Sequence, residues 1–167
     1  NKSWTLYLKP DLKDLDLGSL ASAPEVLGGV PGAKYELTDD LIDLISLCKI
    51  SESKTPALLI NEFEAPEDGF MQVGCSADYW FDFMVNGKSV YDTLVTGNHT
   101  VNYQKEDHVF NFKVRKGKNI IVVKVLSGSA GWKFLCGTVP FREKLDRITE
   151  IVRCKEWRPV KMDKVDW

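Results

Sequence analysis

The sequence predicts an all-β domain built as an antiparallel sandwich or barrel. Apolar and polar residues alternate with a period of two in about eight short runs, seven of them between Ala57 and Val139. Turn residues separate these runs roughly every eight to twelve positions, which is typical of sandwiches and barrels. No long amphipathic helices alternate with the runs, and this argues against a parallel α/β sheet.

Length and composition limit the classes of protein to which the chain can belong. Its 167 residues fit one domain, and 44% hydrophobic with 28% charged residues argues against disorder. Lys and Arg number 22 against 24 Asp and Glu, for a net charge of -2. We therefore expect neither a nucleic-acid nor a membrane partner, because phosphate-rich surfaces require concentrated positive charge. No apolar run is long enough to cross a bilayer.

The four cysteines, at positions 48, 75, 136 and 154, show no CxxC or zinc-ligand spacing. We interpret them as buried thiols. The alternative, if the protein is secreted, is that one pair, such as Cys75 with Cys136, forms a disulfide. The chain starts at Asn1 without a methionine. It is therefore expected to be a processed form or a piece of a longer protein.

The first third of the chain has one clear strand and two less regular segments. The run "SWTLYL" alternates and predicts a strand, whereas residues 10–34 are rich in Pro, Gly, Ser and Ala. We interpret this stretch as a long surface loop, most Pro/Gly-rich at 18–34. The segment "LTDDLIDLISLCKI" is either a helix capped near Thr38 or a short strand followed by a helical turn.

From Ala57 onward the predicted strands follow one another closely. Asn86-Gly87 predicts a type I′ hairpin, because both residues tolerate positive φ. The predicted strands are "ALLINEFEA", "FMQVGCS", "DYWFDFMV", "KSVYDTLV", "HVFNFKV", "IIVVKVL" and "WKFLCGTV".

After Pro140 the pattern changes to helical spacing. Leu145, Ile148 and Val152 fall on one face with charges between them, which predicts a short C-terminal helix and an extended tail. We therefore divide the chain into a β-sandwich domain, residues 1–139, and a C-terminal helix and tail, residues 140–167. The tail either packs on the sandwich or leads out of it.

The stretch "DYWFDFMV" has two different faces. In a strand, alternate side chains share a face, so Tyr79, Phe81, Phe83 and Val85 form a set suited to the core. The opposite face carries Trp80, Asp82 and Met84. An unpaired buried carboxylate is costly, so this second face is expected to be an outer surface or shallow groove, with Lys124 as a cross-strand partner of Asp82.

The strings "VNGKSVYD", "RKGKN" and "GWKF" occur in order between Ala57 and Val139. Together they resemble the galactose-binding-like, jelly-roll β-sandwich modules attached to bacterial glycoside hydrolases. The resemblance implies a jelly-roll fold, neighbouring domains of a larger enzyme and an extracellular or cell-surface location. Modules of this kind often hold a structural calcium ion, for which Glu62, Glu64, Glu67 and Asp68 supply carboxylates. The alternative is that these carboxylates form a charged strand edge and a tight turn.

The candidate ligand-binding residues combine aromatic rings with polar groups. Trp80 and Trp132 offer faces for stacking on a sugar ring, and nearby carboxylates or amides would hydrogen-bond its hydroxyls. The alternative is that both indoles close the sandwich and that the polar loop residues are simply solvated. The full set of candidates is Trp80, Asp78, Asp82, Asn98, His99, Tyr103 and Trp132.

Catalytic motifs are absent from the sequence. It contains no G-x-S-x-G, H-E-x-x-H, P-loop or dinucleotide-binding motif. We expect a non-catalytic carbohydrate-binding or accessory module that binds a polysaccharide or oligosaccharide. We expect no cofactor beyond the calcium considered above. A structural or protein-interaction sandwich without a glycan site is the alternative, and a stand-alone hydrolase is a third hypothesis. An exposed Trp80 or Trp132 beside polar groups would favour the first.

Overall fold

The computed structural model describes residues 2–49, 52–98 and 104–139. Most of this part is β-strand, and it also contains one short α-helix, α1 (Leu44–Leu47), and 3-10 turns at Leu17–Ser19 and Lys105–Asp107. The strands are β1 (Ser3–Leu8), β2 (Val26–Leu27), β3 (Val30–Pro31), β4 (Ala33–Glu36), β5 (Leu41–Asp43), β6 (Pro56–Ala65), β7 (Gly69–Val85), β8 (Lys88–Asp92), β9 (His108–Val114), β10 (Gly117–Ser127) and β11 (Lys133–Gly137). The prediction of an all-β fold is confirmed for these residues.

Nine of these strands form one antiparallel sheet. Its order is β4-β1-β6-β10-β7-β11-β5, with β8 and β9 also paired to β7, while β2 and β3 form a separate small hairpin. The long strand β7 belongs to two layers, because its first part pairs with β9 and β11 and its last part with β8 and β10. The sequence pattern predicts two strands here, but no turn residues separate them and the chain stays extended through Ala77.

The two layers meet across an aromatic core. Phe81 and Phe83 are fully buried and Val85 nearly so, whereas Trp80, Asp82 and Met84 on the opposite face are only partly buried. Phe110 and Phe112 on β9 are also buried, and both rings contact Phe83. The predicted division of β7 into a core face and an outer face is confirmed for Phe81, Phe83 and Val85. It is wrong for Tyr79, which is only partly buried and is not part of the core.

A second, smaller core lies on the outside of the sheet. Leu58 and Ile60 on β6 and Ile120 and Val122 on β10 are buried there. The predicted loop of residues 10–34 packs over them, with apolar side chains from Leu12, Leu15, Leu17, Leu20 and Val30. Burial on both faces explains why "ALLI" and "IIVV" are continuous apolar runs instead of alternating ones.

Two local predictions are settled by the backbone. The ambiguous segment before Ser51 forms a short strand, β5, followed by the single turn of α1, which Asp43 caps by accepting a hydrogen bond from Ser46 N. At the β7–β8 turn, Asn86 and Gly87 have φ of 47° and 81°, as a type I′ hairpin requires.

The predicted helix and tail at 140–167 lie outside the described residues. Within the described ranges, no helix is both long and apolar enough to span a bilayer.

Candidate ligand pocket

A cavity of about 380 Å³ opens where three segments of the chain meet. We call it the Asp78 pocket, and it is lined by Ser53, by Asp78, Tyr79 and Trp80 of β7, and by the turn Gly128–Gly131 that follows β10. Its volume lies within the range of ordinary small-ligand sites.

Backbone hydrogen bonds hold the three segments in place. Lys54 N donates to Ser127 O at 2.9 Å, which fixes the turn before β6 against the end of β10. Gly128 N donates to Gly131 O at 2.9 Å and closes the turn after β10. The pocket wall is therefore built from main chain that is anchored to the sheet.

Asp78 lies against the glycine turn. A Cβ at position 131 would lie 1.5 Å from Asp78 Oδ2, and one at position 128 would lie 2.6 Å from Oδ1, so only glycines leave space for this carboxylate. Burial raises the pKa of Asp78, and the positive charge of Lys133 opposes the rise. Among the described residues, none donates a hydrogen bond to this carboxylate, which leaves its oxygens available to accept from a ligand.

Trp80 stands next to Asp78 and is partly exposed. Its ring meets the ring of Tyr79 nearly at right angles, with centroids 4.7 Å apart. Lys54 Nζ lies over the Trp80 ring, 5.2 Å from its centroid, as a cation–π contact. The side chain of Lys54, at the turn before β6, can leave the ring by changing rotamer, so the indole face is a candidate stacking surface.

Tyr79 is positioned by a glycine on the loop after β8. Gly97 has φ of 69°, and a Cβ there would lie 2.1 Å from the edge of the Tyr79 ring. Asn98 N donates to Tyr79 O at 3.0 Å, which ties the same loop to β7. The ring is thus held between this loop and the pocket.

Asp82 points to the same side of β7 as Trp80 but is already engaged. Its Oδ2 is 3.8 Å from Lys124 Nζ, and its Oδ1 accepts a hydrogen bond from Ser89 Oγ at 2.6 Å. Lys124 is also its register partner on β10. The predicted cross-strand pair is confirmed, and Asp82 does not line the pocket.

Asn98 does not line the pocket and is buried in a polar network. Its Nδ2 donates to Ser76 Oγ and to Ala77 O, both at 2.8 Å, and its Oδ1 lies 3.0 Å from His108 Nε2. These bonds are all to protein groups, as expected for a buried amide. The candidates His99 and Tyr103 lie outside the described residues.

Trp132 is fully buried and offers no ring face to solvent. Its carbonyl oxygen accepts hydrogen bonds from Leu44 N and Ile45 N, which joins the start of β11 to α1. Its placement agrees with the alternative in which this indole closes the sandwich. Of the two tryptophans proposed as stacking surfaces, only Trp80 has an accessible face.

Two of the four carboxylates considered for calcium, Glu62 and Asp68, bind other protein groups. Glu62 accepts from Ala23 N and pairs with Lys118 Nζ at 2.6 Å, which anchors the segment covering the outer core. Asp68 accepts from Lys116 N. In the described parts of the chain, no group of three or more Asp, Glu, His or Cys side chains is arranged to hold a metal ion.

Several pocket residues were missed by the sequence analysis. Tyr79 was placed on the core face by its alternation with Phe81, and the stretch "SGSAG" between the predicted strands "IIVVKVL" and "WKFLCGTV" was given no role. The closeness of this turn to Asp78 depends on the pairing of β10 and β11 with β7, which no local pattern reports. The run of small residues in the turn was the sequence signal that could have indicated space for the Asp78 carboxylate.

Comparison with known proteins yields fold neighbours only. No protein-family model matches the sequence, and no curated protein matches it. The crystal structure of Se-Met labelled β-glucosidase from Kluyveromyces marxianus matches over 90% of this chain with a TM-score of 0.53 and 13% identity. The same enzyme in complex with glucose matches with a TM-score of 0.52 and 14% identity. A GH31 α-xylosidase from Xanthomonas citri matches over 85% of this chain, with a TM-score of 0.43 and 13% identity.

These matches cover a small part of each hydrolase. This chain spans 18% of the length of the β-glucosidase and 14% of the α-xylosidase. At such low identity the likeness to the β-glucosidase shows the fold alone: the chain has the fold of a β-domain that occurs within a larger glycoside hydrolase.

Proposed function

We propose that this chain is a non-catalytic accessory domain of a larger glycoside hydrolase and that it binds glycan in the Asp78 pocket. The observation that carries the proposal is that Asp78, whose carboxylate accepts no hydrogen bond from the described residues, lies beside the partly exposed ring of Trp80 in one cavity. A sugar ring has an apolar C–H face that stacks on an indole and hydroxyl groups that donate to a carboxylate. The enzymes that share the fold support the choice of glycan as ligand.

The pocket lining also argues for binding over catalysis. Glycoside hydrolysis ordinarily requires two carboxyl groups about 5–10 Å apart. Of the residues that line the Asp78 pocket, only Asp78 carries a carboxylate. We therefore expect no turnover of aryl glycosides by this chain. Its role would be to raise the local concentration of substrate near a linked catalytic domain, which would place it outside the cell or at the cell surface.

A glycan array followed by titration calorimetry tests this proposal. Trp80→Ala and Asp78→Asn should each weaken binding of the best array ligand by at least about tenfold, which corresponds to 1.4 kcal/mol. Phe70→Ala is the matched aromatic control, because Phe70 is an exposed aromatic on the same strand and lies outside the pocket. Asp39→Asn is the matched carboxylate control, because Asp39 is exposed and lies outside the pocket. A blank array with folded protein would remove the glycan-binding part of the proposal.

The alternative, a protein-interaction domain, is supported by a separate surface. Phe70 and Val90 are 71% and 37% exposed, and both line a groove of about 530 Å³ together with Lys88 and Lys113. Exposed apolar groups that line one groove are typical of contact with another protein or domain. If the array is blank, Phe70→Ala should weaken association with the neighbouring domains of the parent protein.

A further inference from the structure

Cys75 and Cys136 face each other across neighbouring strands. Cys75 lies in β7 and Cys136 in β11, and the two are direct partners in the antiparallel register. Both side chains belong to the main core, where Cys75 is fully buried and Cys136 partly buried. Nothing in the Asp78 pocket depends on this pair, so the inference below is independent of the proposed function.

Backbone hydrogen bonds identify the type of pair that they form. Cys136 N donates to Asp40 O at 2.9 Å, on the side of β11 that faces away from β7. In an antiparallel ladder the N–H and C=O of one residue point to the same side. Cys136 and Cys75 therefore form a non-hydrogen-bonded pair, for which the Cα separation is about 4.5 Å.

This spacing suits a covalent link. Disulfides bridge Cα atoms about 4.4–6.8 Å apart, so the strands need no large movement. The two thiols also lie close enough for Cys136 to raise the pKa of Cys75. Cys136 also lines a cavity of about 260 Å³ at the end of the sandwich, which gives a small oxidant a route to its sulfur.

We infer that Cys75 and Cys136 are a covalent modification site, a dithiol that a small-molecule disulfide oxidises to a cross-strand disulfide. The Cys136 thiolate attacks the small disulfide, forms a mixed disulfide and releases one small thiol. Cys75 then loses its proton and attacks Cys136 Sγ, which forms the protein disulfide and releases the second small thiol. Two protein thiols are oxidised and one small disulfide is reduced to two thiols.

Burial governs the speed of the second step. It raises the pKa of the Cys75 thiol well above its ordinary value, and the neighbouring Cys136 thiol adds to the rise. Since the thiolate is the nucleophile, closure of the disulfide should accelerate as pH rises. Cys48 is placed differently, because it lies at the edge of the core, where its thiol donates to Lys49 O. Cys154 lies outside the described residues.

The experiment uses the double variant Cys48→Ser/Cys154→Ser, which keeps only the inferred pair. Folded protein is equilibrated with a series of oxidised and reduced glutathione mixtures, and thiols are then alkylated and counted by mass spectrometry. We expect loss of both thiols, one linked peptide containing Cys75 and Cys136, and a rise in Tm of about 5–15 °C.

A third substitution separates a disulfide from simple adduct formation. With Cys75→Ala added, Cys136 should take up a single glutathione, and Tm should not rise. The inference is overturned if the double variant keeps two alkylatable thiols in fully oxidised glutathione, or if it carries two adducts without a linked peptide. Circular dichroism confirms that every variant is folded before oxidation.

Discussion

The rings of Phe83 and Phe110 meet edge to face, with centroids 5.1 Å apart and planes at 74°. Phe83 lies in the part of β7 that pairs with β10, and Phe110 lies in β9, which pairs with the other part of β7. The contact therefore joins the two layers of the curled sheet. Edge-to-face aromatic pairs add about 0.5–1.5 kcal/mol beyond the burial of their area.

Phe83→Ala should lower the free energy of unfolding by about 3–5 kcal/mol, because it opens a cavity at this contact. Urea unfolding followed by circular dichroism measures the change. Phe70→Ala is the control on the same strand: its ring is 71% exposed, so the effect should stay within about 0.5 kcal/mol. Equal effects of the two substitutions would contradict the placement of Phe83 between the layers.

Gly97→Ala should destabilise the fold by about 2 kcal/mol or more, because a methyl group would collide with the Tyr79 ring and the backbone has positive φ. Gly29→Ala is a matched control, since Gly29 has φ of 77° with no atom within 4 Å of an added Cβ. The control should cost only about 1 kcal/mol, the conformational part alone. Thermal unfolding of both variants tests the difference, and similar losses would argue against a tight Gly97–Tyr79 contact.

In its neutral form, His108 should carry its proton on Nε2. Asn98 Nδ2 donates to the Ala77 carbonyl, so Asn98 Oδ1 must be the acceptor that faces His108 Nε2, and the Tyr91 hydroxyl then donates to Nδ1 at 2.9 Å. Nitrogen-15 NMR of the imidazole distinguishes the tautomers.

Asn98→Ala should cost about 1–3 kcal/mol, the usual penalty for leaving buried polar groups without their partner. Tyr91→Phe removes only the bond to Nδ1 and should retain the Nε2–H form. Observation of an Nδ1–H imidazole in the unaltered protein would show that this network is assigned incorrectly.

Asp78→Asn should change the pH dependence of stability. The pKa of Asp78 is raised by burial, so the folded state binds more protons than the unfolded state just above the ordinary carboxyl value of 3.8. The contribution of Asp78 to the free energy of unfolding is therefore fully present below pH 3.8 and is lost as pH rises through the raised pKa. The asparagine variant lacks this loss and should gain stability relative to the unaltered protein across the same interval.

Urea unfolding at half-unit steps from pH 3 to pH 7 measures this effect. Trp80→Ala keeps the Asp78 carboxylate and should keep the loss of stability with rising pH. A constant difference between Asp78→Asn and the unaltered protein at every pH would mean that the carboxyl group titrates equally in the folded and unfolded states.

Local patterns predicted the strands well, because side-chain alternation and turn signals depend only on residues that are adjacent in the chain. The alternation in "DYWFDFMV" identified the buried Phe81 and Phe83 and the Asp82–Lys124 pair, and Asn86-Gly87 identified the hairpin. The continuity of β7 was missed, since a strand that passes between layers has the same local pattern as two strands.

The candidate site was only partly predictable, since it depends on contacts between distant segments. Trp80 and Asp78 line one cavity, while Trp132 on β11 is enclosed by the core. Trp80 lies between Tyr79 and Phe81 in the sequence, and Trp132 lies between a glycine and a lysine. The buried ring is nevertheless the one with the small and polar neighbours, so neighbours along the chain do not separate an exposed ring from a buried one.

The sequence alone determined that residues 57–139 form antiparallel strands with one apolar face and one face of mixed polar and apolar side chains, because side-chain alternation is a property of any single strand. Only the tertiary structure decided which mixed faces stay open. The outer face of β6 and β10 is covered by the Pro/Gly-rich segment, whereas the carboxylate of Asp78 remains accessible beside two glycines. Coverage depends on where distant segments return to the sheet, and that is set by the packing of the whole chain.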